Sequence, residues 1–172
     1  MDSLKGRLLV ASPLLADPNF HRTVVLVLEH VEDDGAVGVV LNRPTEVLVH
    51  AALPDWDAVA AEPSVVFVGG PVAEGAAICL GRRRGAEGVE VVDLELDPDD
   101  VAAEEVRLFA GYAGWGPGQL EDEIEEGAWF VVDADPHDAL SGDPEGLWAR
   151  VLRRQRGRLR LFALYPPSPS VN

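Results

Sequence analysis

A chain of 172 residues with 30 acidic against 14 basic side chains, a formal net charge of −16, is sized for one domain and carries the wrong sign to hold a phosphate backbone or an anionic membrane. Its 47% hydrophobic and 26% charged content is ordinary globular usage and excludes a disordered chain. A single cysteine, Cys79, excludes an internal disulfide and a cysteine-based zinc cluster. Met1 to Arg7 lacks the apolar stretch of a signal peptide, and Val24 to Leu28 falls far short of the roughly 20 residues that cross a bilayer. The cytoplasm is the expected compartment.

In chain order, Arg7 to Ser12 and Thr23 to Val31 read as strands, the second so continuously apolar that both its faces must be covered. The proline-bearing connector Pro13 to Phe20 separates them. Asp33-Asp34-Gly35 is a hairpin turn, because glycine supplies the positive φ that a tight turn needs, and Ala36 to Leu41 returns as the third strand. Glu46 to Leu53 reads as a short helix capped by Thr45. Val65 to Val68, Gly75 to Arg82 and Val89 to Val92 are further strands, Pro98 to Ala103 a helical turn capped by Asp97, and Val106 to Tyr112 a strand. Gly111 to Gly118 reads as a glycine-rich corner leading into a helix over Gln119 to Glu126, closed by Gly127. A strand over Ala128 to Val132 follows. Asp143 to Arg156 has the spacing of an amphipathic helix with Leu147, Val151 and Leu152 inward. Arg158 to Leu164 reads as a last strand, and residues 166–172 are a proline-rich tail. One domain over 1–165 is expected. Strands outnumber helices and many are joined by hairpin-length turns, so the fold class is α/β of the mixed (α+β) kind with mostly antiparallel pairing.

The side chains that carry chemistry are scattered. His21, His30, His50 and His137 show no metal-ligand spacing, so neither a metal nor a cofactor is expected. Ser12 lies in no Gly-x-Ser-x-Gly elbow. Cys79, in an apolar run, reads as a core filler. Gly69-Gly70-Pro71 turns a strand sharply against its neighbour or lets a ligand approach the backbone. The helix after Gly118 begins with Glu121, Asp122 and Glu123, which complement its dipole and repel an anion. Tyr112, Trp115 and Trp129 fill core or line a pocket. Arg82, Arg83 and Arg84, like the arginines from Arg150 to Arg160, read as partners of nearby carboxylates or as a solvated face, unless they form a docking patch for an acidic partner.

Four blocks in order resemble the bacterial YqgE/AlgH family: Leu9-Val10-Ala11-Ser12-Pro13 with Asp17 to Val24; Glu29-His30 to Gly38 with Asn42-Arg43-Pro44; Gly69-Gly70-Pro71-Val72; and Gly111 to Glu121 with Glu123-Ile124 and Ala128-Trp129. The resemblance spans about residues 6 to 155. It implies a bent, bifurcated sheet forming a pseudo-barrel flanked by short helices, and a reputation for regulating transcription of exopolysaccharide genes. It carries no catalytic residues over.

Two site hypotheses follow. Asp17, Arg22, His30, Asn42 and Arg43, at strand ends and turns, form a cleft if they converge with Trp115 and Gln119; otherwise they staple the connector. Arg150, Arg153, Arg154 and Arg156 form a candidate partner-docking strip. The leading functional expectation is a non-enzymatic regulatory or interaction protein acting indirectly on gene expression through protein partners. The alternative is a small-metabolite hydrolase or transferase using His30 with Asp17 or Asn42, and direct binding of nucleic acid ranks last.

Overall fold

The computed structural model describes residues 2–165, so the tail at 166–172 lies outside the described residues. The chain begins with β1 (Leu8–Ala11), β2 (Val24–Val31) and β3 (Gly35–Val40), a three-stranded antiparallel unit. Side chains alternate along each strand, and here both sets are buried. Leu8, Val10, Val24 and Leu26 join one cluster, while Leu9, Ala11, Val25 and Val27 join another on the opposite face. The unbroken apolar runs have this cause: a sheet layer covered on both sides has no polar face. At the β2–β3 turn a Cβ on Gly35, whose φ is +112°, would overlap the carbonyl oxygen of Trp115, so this glycine serves the close approach of a neighbouring strand as well as the turn.

The remaining strands are β4 (Pro44–Leu48), β5 (Val65–Val68), β6 (Val72–Arg83), β7 (Glu90–Val92), β8 (Ala103–Trp115) and β9 (Trp129–Val132). Their order is β4-β5-β8-β3-β2-β1-β9, with β6 and β7 branching from β8. The 13-residue β8 is the hinge of this arrangement. Its first part pairs antiparallel with β6 and, at Phe109 and Ala110, parallel with β5; its last residues, Ala113 to Trp115, pair with β3. One strand shared by two diverging ladders bends the sheet, which curls into a half barrel. The pairing is antiparallel throughout except for β5 with β8 and the single bridge between Ala60 and Val106.

Among the described residues three short α-helices pack on the sheet: α1 (Val49–Ala52), α2 (Gln119–Glu125) and α3 (Leu147–Arg153). Helix α3 covers the first face with Leu147, Trp148, Val151 and Leu152, each contributing roughly 1.5–3 kcal/mol of burial as an upper estimate. Helix α2 covers the other face through Leu120. A 3-10 helix over Pro54–Val59 seats Trp56 on a third cluster with Cys79, Val106 and Leu108. No helix among the described residues is long and apolar enough to cross a membrane.

Five sequence expectations are corrected. Pro44–Leu48 is a strand, and only Val49–Ala52 is helical; Thr45 caps no helix, its hydroxyl accepting the Val47 amide within the strand and donating to the carbonyl of Val66 on β5. Pro98 to Ala102 forms successive turns rather than a helical turn, ending at Ala102 with a φ of +53°. Gly111 to Trp115 belongs to β8, leaving only Gly116 to Gly118 as the corner. Helix α3 begins four residues late, because Asp143 Oδ1 accepts the amide of Gly146 and holds Asp143 to Gly146 as a turn. Gly157–Leu164 is a 3-10 helix, not a strand. Leu159, Phe162 and Ala163, at helical spacing, pack on the core, and Phe162 stacks on Phe130 at 5.2 Å.

Candidate functional site

The residues singled out from the sequence divide between the two ends of β2. Arg22 precedes the strand and His30 lies near its end, eight residues on, which in extended chain is roughly 25 Å. They do not share one cleft.

At the first end, Asp17 Oδ1 accepts the amide of Asn19 at 2.8 Å, and the Asp17 carbonyl accepts the amides of Phe20 and His21, coiling the connector. Arg43 closes it by donating to the carbonyls of Asn19 (2.8 Å) and His21 (3.1 Å). Burial lowers the pKa of Arg43, and the Asp17 charge opposes that shift. Asn42 bridges both partners of the turn: its Nδ2 donates to the Arg22 carbonyl at 2.9 Å and its Oδ1 accepts the Val24 amide at 3.0 Å. Arg22 itself is left-handed, with a φ of +56°. Its guanidinium lies 4.0 Å over the Trp148 ring and donates to the Tyr165 carbonyl at 3.0 Å; burial lowers its pKa. Asp17, Arg22, Asn42 and Arg43 thus spend their polar atoms on backbone, tying the connector to the start of β2 and to α3.

At the other end, His30 is buried under the N-terminal segment and α2. Its Nδ1 accepts the Leu4 amide at 2.9 Å, so the neutral ring carries its proton on Nε2, which stands 3.6 Å from Glu121 Oε2. Trp115 and Gln119 gather instead around Glu123. That carboxylate accepts from the indoles of Trp115 (3.0 Å) and Trp129 (2.9 Å) and from Gln119 Nε2 (2.9 Å), while Gln119 Oε1 accepts the Gly116 amide. Phe20 packs on both indoles.

The arginine strip also divides. Arg150 pairs with Asp143 at 3.2 Å, and Arg154 makes two bonds to Asp138 at 2.7 and 2.6 Å, which raise the Arg154 pKa. Arg153 and Arg156 are exposed, as are Arg158 and Arg160, and these four have no carboxylate partner among the described residues. Leu161 and Leu164 beside them are 61% and 80% exposed. In contrast Arg82, Arg83 and Arg84 pair with Glu104, Glu90 and Asp99. Gly69 and Gly70 face β8 so closely that a Cβ on either would overlap the backbone at Gly111 or Tyr112; their work is strand packing.

Three features escaped the sequence reading. Glu123 was legible in part, lying four residues from Gln119 on the same helix face. Arg107, inside the apolar run of β8, is 1% exposed and donates to the carbonyls of Glu62, Ala139 and Ser141, with the Phe67 ring 4.3 Å away. Burial pulls its pKa down to about 10, against the pull of Glu105. The third is a cavity of about 560 Å³ where the two halves of the sheet diverge, walled by Leu8, Leu26, Leu28, Leu41, Leu80 and Val89. Nothing local announces it, because its walls come from β1, β2, β6 and the approach to β7. No group of three or more histidine, cysteine or carboxylate side chains is arranged to hold a metal among the described residues.

A model of the AlgH-like family matches residues 8–160. The UPF0301 protein SCO2948 of Streptomyces coelicolor is 53% identical, the alignment covering 100% of this chain and 97% of that protein. A UPF0301 protein of Thermobifida fusca is 44% identical over 99% of this chain and 96% of its own length. Among solved structures, the crystal structure of protein DIP2367 from Corynebacterium diphtheriae superposes with a TM-score of 0.86 at 32% identity, covering 96% of this chain and 93% of that one. The solution structure of the AlgH protein from Pseudomonas aeruginosa gives 0.69 at 29% identity, with 95% of each chain covered.

Proposed function

This chain belongs to the AlgH-like family, and from that premise we propose that it is a non-enzymatic regulatory or interaction protein of the cytoplasm, acting on gene expression indirectly through a protein partner. One observation carries the reading. On a chain of net charge −16, Arg153, Arg156, Arg158 and Arg160 stand exposed without carboxylate partners among the described residues, around the exposed Leu161 and Leu164. Unpaired cations around an apolar centre fit a protein surface with the opposite polarity, an acidic rim around an apolar patch. The overall negative charge opposes a direct contact with nucleic acid.

The catalytic alternative is less well supported. His30 has Nδ1 occupied by the Leu4 amide and Nε2 turned to Glu121, and Asp17 and Asn42 are bound to backbone at the far end of β2. A native lysate passed in parallel over the immobilised protein and its Arg153→Glu/Arg156→Glu variant tests the docking surface. The expected result is a protein retained by the first and lost from the second. Equal retention on both, or enrichment on neither, overturns the reading.

A further inference from the structure

The cavity between the sheet halves is not used by the docking surface, and its size falls within the range of small-molecule sites, roughly 300–1,000 Å³. Its walls are aliphatic: Leu8, Leu41 and Leu80 form a buried floor, with Leu26, Leu28 and Val89 above. Water gains little in such a space, because it needs two to four polar partners and these side chains offer none. A hydrocarbon body, by contrast, loses its contact with water against the aliphatic walls.

The polar groups stand at the rim, and they are predominantly acidic. Glu29, Glu90 and Asp135 line the opening with Lys5 as the one cation in the lining, and Asp138 lies buried beside them. Lys5 is held by Glu29 at 2.9 Å, Glu90 by Arg83, and Asp138 by Arg154. Asp135 differs: its Oδ1 accepts the backbone amide of His137 at 2.9 Å, and its exposed carboxylate, whose charge acts on nearby Arg154, is in no ion pair within 4.0 Å among the described residues. A ligand carboxylate entering here would face that charge on an already acidic protein, whereas an ammonium group would meet a partner.

The geometry points to a binding site for an aliphatic molecule with a positively charged end, its chain in the leucine-walled cavity and its ammonium at Asp135. The class is that of primary alkylamines and larger molecules that carry one on a hydrocarbon arm.

Calorimetric or ligand-detected NMR titration of the full chain with n-hexylamine, n-octylamine and n-decylamine, alongside 1-decanol and decanoate, tests the assignment. Affinity is expected to rise about fourfold per added methylene until the cavity is filled, with the amine ahead of the alcohol and the alcohol ahead of the carboxylate. Asp135→Asn should weaken the amine several-fold and leave the alcohol unchanged. Leu28→Trp should abolish binding by filling the space; Val89→Trp, on the more open wall, does the same if the first variant fails to fold. No binding of any ligand, affinity independent of chain length, or decanoate as the tightest ligand would each overturn the site. The Arg153→Glu/Arg156→Glu variant should bind the amine as the parent protein does, which separates this site from the docking surface.

Discussion

His30 Nε2 stands 3.6 Å from Glu121 Oε2 in the first turn of α2, while Nδ1 of the same ring accepts the amide of Leu4. The imidazole therefore ties the N-terminal segment to the end of β2 and lies against α2. Removing it leaves the Leu4 amide without its acceptor inside the protein, and a buried donor left unpaired costs about 1–3 kcal/mol. His30→Ala should lower unfolding stability by that amount and expose residues 2–7 to amide exchange before global unfolding. Denaturant unfolding with hydrogen exchange checks it. Unchanged protection at Leu4 would contradict the role.

Glu123 is the acceptor for two indole N–H groups, those of Trp115 and Trp129, which are 6% and 2% exposed. Glu123→Ala strands both donors and should cost about 2–4 kcal/mol, whereas Glu123→Gln keeps an acceptor and should cost less. Thermal unfolding followed by indole fluorescence distinguishes the two variants.

The half barrel's first hairpin and the two faces of its central layer were legible because long apolar runs and an Asp-Gly turn are local signals. The C-terminal segment was misread for a physical reason. Arg158 to Leu161 alternates polar and apolar residues, and only the stacking of Phe162 on Phe130 and the packing of Leu159 decide for a helical period. The proposed cleft divided for another reason: Arg22 and His30 are close in sequence, but an extended strand carries them far apart. Motif residues cluster in the sequence blocks without clustering in space. The cavity was invisible because its walls come from segments more than seventy residues apart.

Asn42 secures the left-handed Arg22 by bonding both the Arg22 carbonyl and the Val24 amide. Asn42→Ala removes both bonds and leaves a strained conformation without its clamp. A loss of about 1–3 kcal/mol is expected, with increased amide exchange at Val24, the first residue of β2. Asn42→Asp keeps the acceptor for Val24 but presents oxygen to the Arg22 carbonyl, so it should recover only part of the loss.

Burial pushes the Cys79 thiol up from 9.0 to about 12. Between those values the unfolded chain releases this proton and the native protein keeps it, so the native state binds more protons and stability falls as pH rises. The contribution is complete below pH 9 and is lost on approaching 12. Its slope reaches about 1.4 kcal/mol per pH unit. The difference in stability between the parent and Cys79→Ala should narrow steadily across that window. A constant difference would show the thiol titrating alike in both states.

The docking of a protein partner on Arg153 and Arg156 is tested most directly by the dissociation constant of the retained partner for the parent protein and for Arg153→Glu/Arg156→Glu, measured at rising ionic strength. Charge reversal should weaken binding at least about tenfold, equivalent to about 1.4 kcal/mol, and added salt should weaken the parent complex far more than what remains of the variant's. Equal affinities for the two proteins at every salt concentration would contradict the account.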